Sequence, residues 1–479
     1  MRNKARDLAT AFAQGRLDRR ELFRHMGRLG VGAATMGLLV NRAQTSALAA
    51  DLDWKAYEGE QITLLLNKHP YVDAMIANLD SFKQLTGMEV RYDVFPEDVY
   101  FDKVTAALSS GSSQYDAFMT GAYQTWQSGP AGWVDDLNEY LTDDSLTAPA
   151  YNWTDIQENL RASTSWSGVP GAPLGGADAK QWALPWAFEL NSVSYNRRLF
   201  DAAGVQPPQN LPDMLEVAGR LNNPSENVYG ISVRGSRSWA TIHPGYLSAF
   251  SSYGARDFEV ADGKLKAAMN SAAGKEMTAL WVKMIQDSGP RNWATYTWYQ
   301  VGADLGAGAA AMIYDADIQG YFMNGGDVRE KGNIGFHAFA ADPSAQAPTP
   351  NVWIWSLAMN SYGSQKEAAW YFLQWATGTE HALFGATKMD FVNPVRQSVW
   401  QDEAFRDRMA KSYPGYLEQY EASAPNAKIY FTPQPLFPTV TTEWSASLQR
   451  MVANEIPVDE GLDQLAESID RQMTAAGLG

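Results

Sequence analysis

Five histidines, several acidic pairs and a large stock of aromatic rings are the raw material for any chemistry in this 479-residue chain. The histidines (His25, His69, His243, His337 and His381) never stand four apart around a glutamate, so no metalloprotease helix is present. The chain has no cysteine, which removes thiolate metal sites, iron–sulfur clusters, Cys nucleophiles, disulfides and a lipid-modified cysteine anchor together. Asp135-Asp136 and Asp143-Asp144 are adjacent and read as solvated loop charges. Asp315 and Asp317 stand at strand spacing and share a face, which keeps a glycosidase-type carboxylate pair open. Neither a Walker A sequence nor a G-x-S-x-G elbow occurs. Gly306-Ala-Gly308-Ala-Ala-Ala311 fits a relaxed dinucleotide fingerprint, but it leads into the apolar run Met312-Ile-Tyr314 instead of following a strand and opening a helix. No cofactor is expected, and nothing commits the chain to catalysis.

The rings say more. Of 17 tryptophans, several sit among Gly, Pro and Ser: Trp126, Trp133, Trp166, Trp186, Trp239, Trp293, Trp298, Trp353 and Trp355. A flat indole packs against the C–H face of a pyranose while nearby Asp, Glu, Asn or Arg take the hydroxyls, and aromatic lining with a few placed polar groups is the usual anatomy of a small-molecule cleft. For any single tryptophan core packing is the simpler use; the ensemble points to a cleft.

Formal charge is −16, and it is unevenly spread. The first 49 residues carry nine Lys/Arg against three acids, so the remaining 430 carry 29 basic and 51 acidic groups, a charge of −22. Phosphate backbones and anionic lipid repel such a body, so nucleic acid and membrane surfaces are poor partners. The basic start precedes a short apolar stretch (Leu29-Gly-Val-Gly-Ala-Ala-Thr-Met-Gly-Leu-Leu-Val40) and then Ala47-Leu48-Ala49, which fits A-x-A cleavage. Twelve Gly-rich apolar residues are too few to cross a bilayer needing about 20. Asp18-Arg19-Arg20-Glu21-Leu22-Phe23-Arg24 resembles a twin-arginine translocation signal, with Asp18 for the hydroxyl residue and Leu22-Phe23 in inverted order. The reading is an export signal over 1–49 cleaved near Ala49, a periplasmic mature protein and no membrane anchor, with the Tat and Sec routes both open.

The elements that must position the rings alternate. Gln61-Ile-Thr-Leu-Leu-Leu-Asn67 reads as a buried strand. Val72, Met75, Ile76, Leu79, Phe82 and Leu85 recur at helical period before the cap Gly87, and Met88-Glu-Val-Arg-Tyr-Asp-Val94 alternates as a strand. A helix over 101–108 and a strand over 115–119 follow. The grammar resumes after 190: strand 192–195, helix 196–203, helix 211–221, strands 230–233 and 310–314, helices 366–377 and 461–473. That is the pattern of doubly wound α/β lobes. Residues 148–176, rich in Trp, Pro and Gly, form either a flap over a cleft or a surface insertion.

These residues carry a resemblance. Phe82-Lys-Gln-Leu-Thr-Gly-Met-Glu-Val90, residues 103–111, Tyr115-Asp116, Trp126 and Gly132-Trp-Val-Asp-Asp-Leu137 resemble the first lobe of family 1 extracellular solute-binding proteins. Ala183-Leu-Pro185, Tyr195-Asn-Arg-Arg-Leu-Phe200 with Ala203-Gly204, Ala309-Ala-Ala-Met312, residues 368–375 and Asn393-Pro-Val-Arg396 continue in that family's order over nearly all of the mature chain. The resemblance implies a non-enzymatic, monomeric periplasmic receptor that binds a sugar or oligosaccharide in an aromatic-lined interlobe cleft and delivers it to the permease of an ABC importer. It implies two lobes of the maltose-binding type (type II) joined by crossover hinges: 50–188 plus 358–391, and 192–355 plus 395–479. The crossings are expected near 189–192, 356–360 and 391–394.

Ligands of open α/β sheets lie outside the carboxyl ends of strands, a rule that selects Asn67-Lys68-His69, residues 121–126 with Tyr123 and Trp126, and residues 315–317 with Asp315 and Asp317, independently of any family. The resemblance adds Glu189 at the first crossing, Tyr314 beside Asp315, Trp353 and Trp355 before the second, Arg396 after the third, and His243 with Tyr246 in the second lobe. Trp239 and Trp298 complete the expected ligand-binding set. A polyol, or a phosphorylated or acidic sugar, is the alternative ligand; the charged forms require Arg396, Arg234 or Arg237 and Lys68 to converge. A secreted carbohydrate-active enzyme is the rival class, with Glu189 and Asp315 as its carboxylates. A role in chemotaxis is compatible with the same fold.

Overall fold

A computed structural model describes residues 52–479, apart from Gly326, Asp390 and Val392. The expected export signal lies outside the described residues. Strand β1 (Gln61–Asn67) has the expected bounds and is buried from Leu64 to Asn67. It pairs in parallel with β2 (Glu89–Phe95) and β3 (Ala117–Gly121). The helical pattern between β1 and β2 forms two helices, Pro70–Ala77 and Leu79–Thr86, broken at Asn78 and ended by Gly87 at φ 73°, the left-handed cap. β2 is the sheet edge and buries almost nothing, leaving Tyr92 and Val94 exposed, so its alternation does not reflect a buried face.

Strand β4 (Leu184–Asn196) joins the two lobes by itself. Its first half pairs with β8 (Val352–Met359), Leu190 opposite Val352; its second half pairs with β6 (Ala310–Ala316), Asn191 opposite Ala316. The change of partner falls between Leu190 and Asn191, within the range expected for the first crossing. The second lobe adds β5 (Tyr229–Ser232), parallel to β6, and β7 (Ile334–His337), antiparallel to β4. The strand order is thus β2-β1-β3-β8-β4-β6-β5.

β8, central and wholly buried, is, like β7, a strand that the local pattern does not announce. The second crossing is expected at 356–360, but β8 pairs with β4 as far as Leu357 and with β3 as far as Met359, so residues 356–359 lie inside the first sheet. Gly308 (φ 72°) caps the helix Trp298–Ala307 just before β6, the reverse of the strand–glycine–helix order of a dinucleotide fold. The segment 148–176 folds as short helical turns and half of a small hairpin. Its tip reaches the second lobe, where Gly171 N–H donates to Pro433 O at 2.9 Å.

Candidate functional site

The two lobes face each other across a cavity. His69, Glu97, Phe101, Glu189, Trp353 and Trp355 line it from the first lobe; Arg234, Trp239, Ala240, His243, Trp298, Ala316, Ile318 and Gln319 line it from the second. Rings meet across the gap. Phe101 and Trp239 pack edge to face at 5.0 Å between centroids, His243 stacks on Trp353 at 4.9 Å, and His69 lies 6.4 Å from Trp298.

Each polar group is held by its local structure. His69 is the N-cap of helix Pro70–Ala77: its Nδ1 accepts from Tyr71 N–H at 3.3 Å, so the neutral ring carries its proton on Nε2, facing Glu189 Oε1 at 3.6 Å. Trp355 Nε1 donates to the same Glu189 oxygen at 2.6 Å. Glu189 reaches the cavity because β4 pairs it opposite Trp353, two residues before the strand changes lobe. On the facing wall Arg234 makes a two-pronged contact with Asp315, at 2.7 and 2.8 Å. Burial opposes the Arg234 charge, but Asp315 first, then Glu97 and Glu189, push its pKa above the ordinary value. Burial pushes the Glu97 carboxyl up, with Glu189 adding and Arg234, His69 and Asn67 opposing. Burial, then Arg234, holds His243 well below the usual histidine range, so its ring is neutral.

Several buried polar atoms on the cavity walls have no protein partner: Trp298 Nε1, Trp353 Nε1, His243 Nδ1 and Gln319 Oε1. Other indole N–H groups (Trp126, Trp166, Trp186, Trp281) are also unpartnered, but those rings are packed inside the core, whereas Trp298 and Trp353 border open space. An unpaired buried donor or acceptor costs about 1–3 kcal/mol, so this wall gains by meeting a ligand rich in hydroxyls.

The matching family model spans residues 67–382 and describes the bacterial extracellular solute-binding protein. The chain belongs to this family. This solute-binding protein is 40% identical over 444 residues to the erythritol/L-threitol-binding protein of Mycolicibacterium smegmatis, a match covering 90% of this chain and 92% of the relative. Its fold matches that of an ABC-transporter solute-binding protein from Agrobacterium vitis S4 with bound D-mannitol (TM-score 0.73, 23% identity, 88% of this chain and 99% of that one). It equally matches one from Agrobacterium radiobacter K84 in complex with ribitol (TM-score 0.74, 21% identity, 87% and 99%).

Of the expected site residues of this solute-binding protein, His69, Glu189, Trp239, His243, Trp298, Trp353 and Trp355 come together on the cavity wall. The others stand elsewhere. Lys68 is exposed next to His69, because successive residues at the end of β1 point opposite ways. Tyr123 lies behind the wall, its ring 5.2 Å from both His243 and Trp353 and its hydroxyl accepting from Asn351 Nδ2 at 2.8 Å. Trp126 packs on Phe437. Tyr246 bonds Thr278 Oγ1 at 2.7 Å, and Tyr314 packs on Trp281 and Phe339. Asp315 acts on the cavity through Arg234. Arg396 is fully buried away from the cleft, donating to Thr377 O at 2.7 Å and Asn152 O at 3.1 Å.

Glu97 and Phe101 were missed as site residues, and Arg234 was considered only for an anionic ligand. The strand-end rule reaches both regions: Glu97 follows β2 by two residues, and Arg234 follows β5 by two.

Proposed function

We propose that this protein binds a small neutral polyol and presents it to the permease of an ABC importer. The observation that carries the reading is a small interlobe cavity whose aromatic walls leave hydrogen-bond donors and an acceptor unpaired. Alternating C–H and O–H groups along a polyol satisfy such a wall. Rings from the two lobes already touch across the gap, Phe101 on Trp239 and His243 on Trp353, which favours a single small molecule over an oligosaccharide. The binding of erythritol or threitol by the 40%-identical relative supports the same class.

The cavity chemistry also selects against anions. Arg234 is the only Lys or Arg among the lining residues, and Asp315 already takes its guanidinium. Glu97 and Glu189 repel a phosphate or carboxylate, Arg237 and Lys68 are exposed, and Arg396 is buried elsewhere. For the enzyme reading, Asp315 is held in its ion pair, which leaves Glu97 with Glu189 as the pair to test.

The ligand contacts we assign are His69, Glu97, Glu189, Arg234, Trp239, His243, Trp298, Gln319, Trp353 and Trp355. Hinge motion about β4 closes the lobes, and the closed form is what the permease recognises. The family is extracellular, and no helix among the described residues is long and apolar enough to cross a membrane. We place the mature protein, from Ala50, in the periplasm as a monomer after removal of the basic leader.

The test is thermal shift with tryptophan fluorescence against tetritols, pentitols, hexitols, mono- and disaccharides and sugar phosphates. A saturable response to a neutral polyol, recovered unchanged, is expected. A response confined to disaccharides or sugar phosphates overturns the ligand class, and consumption of the ligand overturns the receptor reading.

A further inference from the structure

Just beyond the cavity wall, between Ala316 and Ile318, the fully buried Asp317 reaches into the hinge instead of the cleft. Its Oδ1 accepts from Leu190 N–H at 3.1 Å, where β4 changes lobe, and Asn393 Nδ2, beside the third crossing, straddles the carboxyl at 3.0 Å from Oδ1 and 3.1 Å from Oδ2. Its Oδ2 lies 2.9 Å from the hydroxyl of Tyr416, which is itself 2.8 Å from Asn393 Oδ1.

The protons decide what this cluster is. A phenol has one proton to give, and two acceptors, Asp317 Oδ2 and Asn393 Oδ1, stand at hydrogen-bond distance from the Tyr416 oxygen. If Asp317 is a carboxylate, one of those short contacts is oxygen against oxygen with no hydrogen between them. One further proton on Oδ2 completes a ring: Asp317 donates to Tyr416, Tyr416 to Asn393 Oδ1, and Asn393 Nδ2 back to Asp317 Oδ1.

We propose that Asp317 is a positioning residue of the hinge, held as a neutral carboxylic acid, that ties the cavity-lining turn at Ala316, Ile318 and Gln319 to the first and third lobe crossings. Loss of its proton loosens the closed form, and closing on ligand draws a proton from solvent onto the carboxylate. Burial independently pushes this carboxyl up to about 7, with Glu189 adding and Asn393, Tyr416 and Leu190 opposing. The charged and titratable groups that face it are Glu189 on β4, Tyr71 on helix Pro70–Ala77, and Tyr416 and Tyr420 on helix Tyr416–Ser423.

The sign follows. A carboxyl whose value is raised in the pinned form favours that form fully in acid and loses the contribution as pH rises to about 7, above which the profile levels. The proton on Asp317 stands apart from the ligand assignment; its coupling to binding rests on the solute-binding reading.

Two measurements on the mature protein separate these claims. The first is the pH profile of unfolding without ligand. Wild type is expected to lose stability from about pH 5 to 7 relative to Asp317→Asn, which keeps the shape but cannot ionise. Superimposed profiles overturn the proposal whatever the ligand is. The second is affinity for whichever polyol binds. Wild type is expected to bind several-fold more tightly at about pH 5.5 than at about 7.5, within the limit of tenfold per pH unit. Asp317→Asn is expected to stay within about twofold across that range, and Asp317→Ala to be weak throughout. Equal slopes in wild type and Asp317→Asn overturn the coupling. A different unfolding profile with no response to any polyol supports the buried proton and sinks the polyol reading alone.

Discussion

Two hollows in this protein behave differently. One is the cleft cavity; the other lies inside the second lobe among Leu247, Phe250, Phe258, Phe431, Phe437 and Trp444. The inner one is walled almost wholly by hydrocarbon. Its Asp257 is taken up by Thr432, through N–H at 2.8 Å and Oγ1 at 2.7 Å, and Gln434 Nε2 is its unpartnered group. The cleft has four charged or carboxyl-bearing side chains on or just behind its walls, and several buried polar atoms of its lining residues have no protein partner. Space alone does not make a site. Unpaired polar groups between two bodies that can separate do, because a ligand gains the pairing energy and the hinge lets it in.

The largest expected effect breaks the cleft from behind. Arg234→Ala leaves Asp315 buried and unpaired and is expected to cost about 3–5 kcal/mol of stability in denaturant unfolding, part of which Asp315→Asn restores. A loss below about 1 kcal/mol removes the ion pair from the account. Next, the two hollows should respond oppositely to truncation. Leu247→Ala in the inner one is expected to destabilise the fold by about 2–5 kcal/mol while leaving polyol affinity within about twofold. Trp353→Phe keeps a ring but deletes an unpaired N–H, so affinity is expected to fall between about two- and tenfold while stability changes little. If Leu247→Ala weakens binding as much as Trp353→Phe does, the hollows are not independent.

The pH dependence also separates them. Burial lowers His243, so its contribution to stability is present above the usual histidine range and is lost as pH falls through it. Burial raises Asp257 against the opposing Thr432 hydrogen bonds, so its contribution is present in acid and is lost as pH rises through its folded value. Unfolding midpoints of His243→Gln and Asp257→Asn, each subtracted from wild type, should therefore slope in opposite directions. The smallest effects come from the rim. Lys68→Ala, or raising salt from about 0.05 to 0.5 M, is expected to change affinity less than twofold for a neutral ligand, and a steep salt dependence would return the anionic ligand to consideration.

Much of the scaffold was legible from short stretches. Gln61–Asn67 and Leu211–Leu221 have the expected bounds, and the caps Gly87, Gly204 and Asn196 do what their residue types suggest. The split at Asn78 escaped notice because the apolar spacing runs through it. β8, like β1, is a continuous buried run without alternation, but its two tryptophans suggest a ligand platform ahead of a crossing instead of a strand. In the site, the strand-end rule found His69, and the family resemblance found Glu189. Glu97 went unseen because it follows an exposed edge strand, where nothing local marks a cavity.

The sequence by itself determined the alternation of strands and helices, the family, and the aromatic character of the cleft, since hydrophobic period, capping and residue type are local properties. Only the tertiary structure decided which rings face ligand space. Trp298 and Trp353 have the same local signature as Trp126 and Trp166. What separates them is whether one long strand, β4, crosses at Leu190 so that an opposing lobe stands over them, and that depends on pairings between residues more than a hundred positions apart.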